Sequence, residues 1–270
     1  MNMKTLHLGL FFFFICLLAC YPTCVDGRDI PLRLRSFYRE VKRSGCRMPL
    51  ATGFKDGHGH SGFTYCGDYS KRGIIYISGP RSHRLLADMD VDCDGANNTV
   101  GRCGNDPSGQ GKTAFKNIAQ SYGIPDLNAN IHSYIVFGNE GAVPSFNPRA
   151  HGMRPLSVMA VICNNQLFYG VWGDTNGGVD TGEASISLAT ACFPNGNITA
   201  DNGHQAHDVL YLGFTGSSAV PGKKGARWTA SSFEGFEASL ARIGDKLVRK
   251  RVPRKRCIGI WKCEKCRICF

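Results

Sequence analysis

Nowhere in its 270 residues does the sequence hold the roughly 20 consecutive apolar residues that a membrane-crossing helix needs; the longest run, residues 8–20 (LGLFFFFICLLAC), has 13. That length excludes a span in the mature chain and, behind Lys4, suits the core of an export signal. Residues 1–27 are therefore expected to be a removed signal peptide, with cleavage after Gly27 and a secreted, extracellular product. The Leu-Leu-Ala-Cys at 17–20 resembles a lipid-attachment site, but the glycosylation sequons at Asn97 and Asn197 fit a eukaryotic secretory route better.

Acidic residues are scarce, 21 against 32 Lys and Arg, a balance that by itself invites a nucleic-acid reading. The basic excess sits toward the ends. Residues 249–270 carry nine bases and one acid, whereas residues 85–222 carry five bases and twelve acids. An acidic middle excludes nucleic acid as partner of the body and favours a cationic one. No internal repeat and no linker interrupts residues 28–248, which are expected to form one monomeric domain ahead of a basic, Cys-rich tail of unknown role.

Two signatures are incomplete. A phosphate loop ending in Gly111-Lys112-Thr113 needs glycine at position 106, where Asp106 stands. A calcium loop starting at Asp90 needs Glu at its twelfth position, where Gly101 stands. His58 and His60 flank a glycine with no further ligand in sequence reach, so neither a cofactor nor a metal is expected. Cysteine, by contrast, is plentiful. Six dispersed residues, Cys46, Cys66, Cys93, Cys103, Cys163 and Cys192, read as three disulfides in an exported chain. Nearness favours pairing 46 with 66 and 93 with 103, and Cys257, Cys263, Cys266 and Cys269 crowd the tail.

Periodicity points to a mainly β chain with a few helices. Leu34, Phe37, Tyr38 and Val41 have helical spacing, as do Phe233, Phe236, Leu240, Ile243 and Leu247 in a helix over 231–248 capped by Ser231 or Ser232. A helix is also expected over 112–122 and a helical start within 184–192. Residues 73–78, 131–137, 156–163, 167–172 and 209–214 read as strands, with a tight hairpin at Asn164-Asn165-Gln166, and 48–60 reads as irregular. In an extended backbone Asp88, Asp90, Asp92 and Asp94 share one face. Four like charges there repel unless a cation joins them, either Ca²⁺ or the ammonium groups of an amino sugar, the remaining alternative being a solvated acidic strand.

The chemistry is expected in residues 171–188, VWGDTNGGVDTGEASISL. Asp174 follows an apolar strand and Glu183 lies nine residues on, across a glycine-rich loop able to fold back and bring both carboxylates to one cleft. Two carboxyls facing one gap are what glycoside hydrolysis needs: one protonates the leaving oxygen and the other activates water or attacks carbon.

With FTYCGD at 63–68, MDVDCDGANN at 89–98, NDPSGQG at 105–111, NIH at 130–132, VFGNE at 136–140, HGMRPLSVMAV at 151–161 and the block 169–188, the chain resembles the fungal chitosanases of glycoside hydrolase family 75 over roughly residues 45–248. The resemblance implies an inverting endo-hydrolase of β-1,4-linked glucosamine, with Asp174 and Glu183 as its two essential carboxylates. Glu183, beside Ala184 and Ile186, is expected to be the less solvated and hence the acid, with Asp174 the base. Asp90, Asp92, Asp94, Thr175 and Asn176 are then candidate substrate binders and Trp172 a candidate sugar-stacking surface. The strand ending in Gly-Asp-Thr resembles double-psi β-barrels of wall-cleaving and expansin-type proteins. Two competing readings are a non-catalytic carbohydrate-binding or wall-loosening protein on the same fold, and an antimicrobial or effector protein acting through its basic tail.

Overall fold

A computed structural model describes residues 27–106 and 108–254; the expected signal peptide up to residue 26 and the tail cysteines lie outside the described residues. The elements in chain order are α1 (Leu32–Ser44), β1 (Pro49–Lys55), β2 (Ser61–Cys66), β3 (Ile74–Ser78), β4 (Ala87–Asp92), α2 (Lys116–Ser121), β5 (Tyr134–Asn139), β6 (Val158–Cys163), β7 (Gln166–Asn176), β8 (Glu183–Ser185), α3 (Ile186–Cys192), β9 (His204–Phe214), α4 (Gly222–Gly225) and α5 (Phe233–Arg251). The strands pair in the order β1-β2-β3-β9-β4-β8-β5-β7-β6, and β9 also pairs with β6. Two of these pairings, β4 with β8 and β5 with β7, are parallel.

Each face is covered because its apolar residues require it. Leu34, Phe37 and Val41 bury one side of α1, and Phe236, Leu240, Leu247 and Val248 bury one side of α5. Ser232 caps α5, its hydroxyl accepting from the Gly235 amide. The helix runs three residues past the expected end, because its basic last turn suits the negative end of the helix and the Arg251 guanidinium donates to the carbonyls of Gly73 and Thr215 at 2.9 and 2.7 Å. Disulfides join Cys46 to Cys66, Cys93 to Cys103 and Cys163 to Cys192.

Three local expectations are corrected. Residues 49–55, read as irregular, form β1; its register against β2 slips three times, so its side chains lack the clean alternation that marks a strand. The helix expected over 112–122 shrinks to Lys116–Ser121, because the amides of Thr113 and Ala114 are committed to the carboxylates of Asp126 and Asp174. β7 does not stop at Trp172 but continues to Asn176, which makes Asp174 part of a strand. The hairpin between β6 and β7 turns on Asn164 and Asn165, both left-handed with φ of 45° and 57°, as its sequence implied.

Candidate active site

Three strand pairings align the acidic residues. Asp90 of β4 stands opposite Glu183 of β8, Glu183 opposite Val136 of β5, and Val136 opposite Asp174 of β7. Asp174 and Glu183 are thus two strands apart with Val136 between them, about 10 Å at backbone level given a strand spacing of about 4.8 Å. A bulge in β7, where Ile135 faces Trp172 and Val136 faces Asp174, skips Gly173 and turns Asp174 to the face that carries Glu183.

Asp174 is 5% exposed. Its Oδ1 accepts from the Ala114 and Thr175 amides at 2.9 and 2.7 Å, while its Oδ2 is buried and accepts no bond among the described residues. Glu183 is half-buried, and its Oε2 accepts from the Asn176 side-chain amide at 2.9 Å. Asn176 is fixed in turn, its Oδ1 accepting from the Gly178 amide. The expectation that Glu183 is the less solvated is therefore reversed, since Asp174 sits deeper in the sheet.

Both carboxyls hold protons more tightly than free ones. Burial, with Asp90, Asp180 and Asp174 nearby, pushes Glu183 up to about 7 against the opposing Asn176 bond. Burial and then Asp92 push Asp174 up to about 8, and Asp92 itself rises well above the usual range through burial and Asp94. Ligand oxygens of Asp92, Asp94 and Asp174 lie within 4.8 Å of one another. The Tyr134 hydroxyl donates to Asp92 Oδ1 at 3.1 Å. Such close carboxylates share protons, so their titration belongs to the group.

Other sequence-predicted residues fall differently. Trp172 is fully buried, edge-on to Phe115 at 4.8 Å, so its ring presents no face to a sugar. This corrects the stacking expectation: apolar packing within β7 claims the indole, whose Nε1 donates to the Asp174 carbonyl at 2.9 Å. Thr175 meets the site through its amide, and Asn176 through the Glu183 carboxylate. Asp90 is covered by the β1–β2 turn, where His58 Nε2 lies 2.7 Å from its Oδ1.

Sequence reasoning missed Asn139 and Tyr65. Buried Asn139 donates to the carbonyls of Gly178 and Asp180 at 3.1 and 2.7 Å, pinning the loop between the two carboxylates, and accepts from the Tyr65 hydroxyl at 2.8 Å. No spacing links these residues to the loop, because contacts across strands leave no periodic trace in sequence. At Gly182, φ is +105° and a Cβ would meet Asp88 Oδ1 at 2.4 Å, so only glycine allows β8 to enter beside β4.

A family model described as fungal chitosanase of glycosyl hydrolase group 75 matches residues 89–250. An endo-chitosanase of Aspergillus oryzae is 53% identical over 231 residues, 84% of this chain and 93% of that protein. An endo-chitosanase of Aspergillus fumigatus is 54% identical over 228 residues, with the same shares of the two chains. The similarity to endo-chitosanase C of Aspergillus oryzae is weaker, 36% over 167 residues, covering 61% of this chain and 39% of that protein.

Proposed function

The chain belongs to the fungal chitosanases of glycosyl hydrolase group 75, and from that membership we propose that it hydrolyses β-1,4 bonds between glucosamine units of chitosan internally, by inversion, with Asp174 and Glu183 as the two catalytic carboxylates. The single observation that carries the reading is the register that aligns the two carboxylates on one face, one strand apart on either side of β5. A backbone separation of about 10 Å leaves space for the carboxyls to stand the roughly 6.5–9.5 Å apart that inversion needs, with water between them.

Hydrogen bonding supports the division of labour. The rise of Asp174 belongs to the carboxyl group it forms with Asp92; with the shared proton on Asp92, the two amides that donate to Asp174 Oδ1 favour the charged form of Asp174. Oδ2, with no partner among the described residues, then takes the proton from the attacking water. Glu183, held up near 7 by burial, gives its proton to the leaving glycosidic oxygen as water bonds to the anomeric carbon from the opposite side. Asp90 and Asp94 supply the negative field for the ammonium groups of the polymer, while Asp92 serves as the proton-sharing neighbour of Asp174.

The return of the strand pairing to β9 through β6 supports the double-psi barrel reading. Three disulfides fit a secreted protein, read here as one monomeric catalytic domain, and no described helix is long and apolar enough to cross a membrane. The test is the release of reducing ends and loss of viscosity when the full chain acts on highly deacetylated chitosan, with proton NMR of the first product formed. The reading expects the anomer opposite to the bond cleaved. Binding without release would favour a carbohydrate-binding protein, and the retained anomer would refute inversion.

A further inference from the structure

Among the described residues, four groups of His, Cys or carboxylate side chains bring ligand atoms within 4.8 Å of one another. The group around Asp174 belongs to the site above. Cys46, Cys66 and Asp68 are closed by a disulfide. Asp56, His60 and His207 satisfy each other, both imidazoles meeting Asp56 Oδ2 at 2.6 and 2.8 Å. The fourth group, His58, Asp88 and Asp90, is not satisfied. His58 meets Asp90, but both side-chain oxygens of Asp88 accept no hydrogen bond among the described residues, and the residue is 0% exposed. A buried carboxyl with neither oxygen partnered is costly, and binding a cation is one of the few ways to offset that cost.

We propose that His58, Asp88 and Asp90 bind a divalent metal ion of the zinc class, on the flank of the cleft away from Asp174. One imidazole and two carboxylates form a borderline donor set that suits zinc or cobalt and not magnesium, which takes oxygen ligands and keeps its waters. The supports are stiff. Asp88 and Asp90 lie two apart on β4, which is paired on both sides. His58 rides a turn whose 58 and 60 amides both donate to Asp56 Oδ1 at 2.9 Å. Three ligands leave a fourth position open, and the His58 side chain, 35% exposed, borders solvent.

This site does not rest on the hydrolase reading, although the two meet at Asp90, which faces Glu183 across the β4–β8 pairing. An ion there takes Asp90 from the ammonium groups of the polymer, so metal and cationic substrate compete.

Calorimetry of the full chain, with any free thiols alkylated, should show saturable Zn²⁺ binding near one ion per chain, a raised Tm, and no binding of Mg²⁺. Co²⁺ should give a nitrogen–oxygen spectrum without a thiolate charge-transfer band. His58→Ala should weaken Zn²⁺ binding at least tenfold, as should Asp88→Asn; the exposed His58 variant decides the matter if the buried one fails to fold. His60→Ala, whose side chain belongs to the neighbouring group, should retain binding. The absence of saturable Zn²⁺ binding, undiminished binding in His58→Ala, or loss in His60→Ala alone would overturn the proposal.

Discussion

At the residue scale, the proposed acid, Glu183, is tuned by one side chain. The Asn176 amide donates to Glu183 Oε2 and stabilises the charged carboxylate, opposing the burial that raises its pKa to about 7. Removing that donor leaves burial less opposed. In Asn176→Ala the alkaline limb of the pH–rate profile should therefore move to higher pH, with kcat reduced roughly ten- to hundredfold from lost positioning. An unmoved limb would mean that Glu183 is not the proton donor. That Asp174 and Glu183 come to one face is legible in the sequence, since a glycine-rich loop between Asp174 and a Gly-Glu advertises a folded-back pair. Their relative burial is not, because Ala184 points to the opposite face of β8 and Ile186 already belongs to α3.

At the element scale, α5 is seated by a glycine. A Cβ on Gly244 would lie 2.4 Å from ring atoms of Tyr169, a fully buried ring whose hydroxyl donates to Asp245 at 2.8 Å and so cannot swing aside. Alanine is the better helix former by about 1 kcal/mol, but overpacking costs about 1–3 kcal/mol. Gly244→Ala should thus lower Tm by several degrees, at roughly 2–4 °C per kcal/mol for a domain of this size; an unchanged or higher Tm would show that the helix shifts freely. Strong periodicity made α5, α1 and β6–β7 readable. The failures share a cause. In β1 and α2, backbone groups answer to partners far along the chain, as when Ala114 serves Asp174, and local pattern cannot report that.

At the scale of the whole molecule, the acidic seam fixes how stability varies with pH. Burial holds Glu183 up to about 7 and Asp94 up to about 6, above their unfolded values of about 4. Between those limits the folded chain binds more protons than the unfolded one, so stability falls as pH rises. Asp56 runs the other way. Burial alone would raise it, but its bonds to His207, to the 58 and 60 amides and to His60 hold it down to about 2, so its contribution is lost below about pH 4. Melting temperature should peak near about pH 4–5 and decline toward pH 8; a rise over pH 5–8 would contradict this placement of the charges. The acidic middle of the chain was plain from charge counting, but which carboxylates share a seam depends on β8 entering beside β4, which no sequence spacing encodes.

The central claim is that Asp174 and Glu183 together carry out hydrolysis. The most direct measurement is reducing-end release from deacetylated chitosan by Asp174→Asn and Glu183→Gln beside the wild type, with circular dichroism confirming that all three are folded. The account predicts losses of roughly 10²–10⁴-fold or more in kcat for each variant. Near wild-type turnover by either folded variant would contradict it and move the chemistry to another pair.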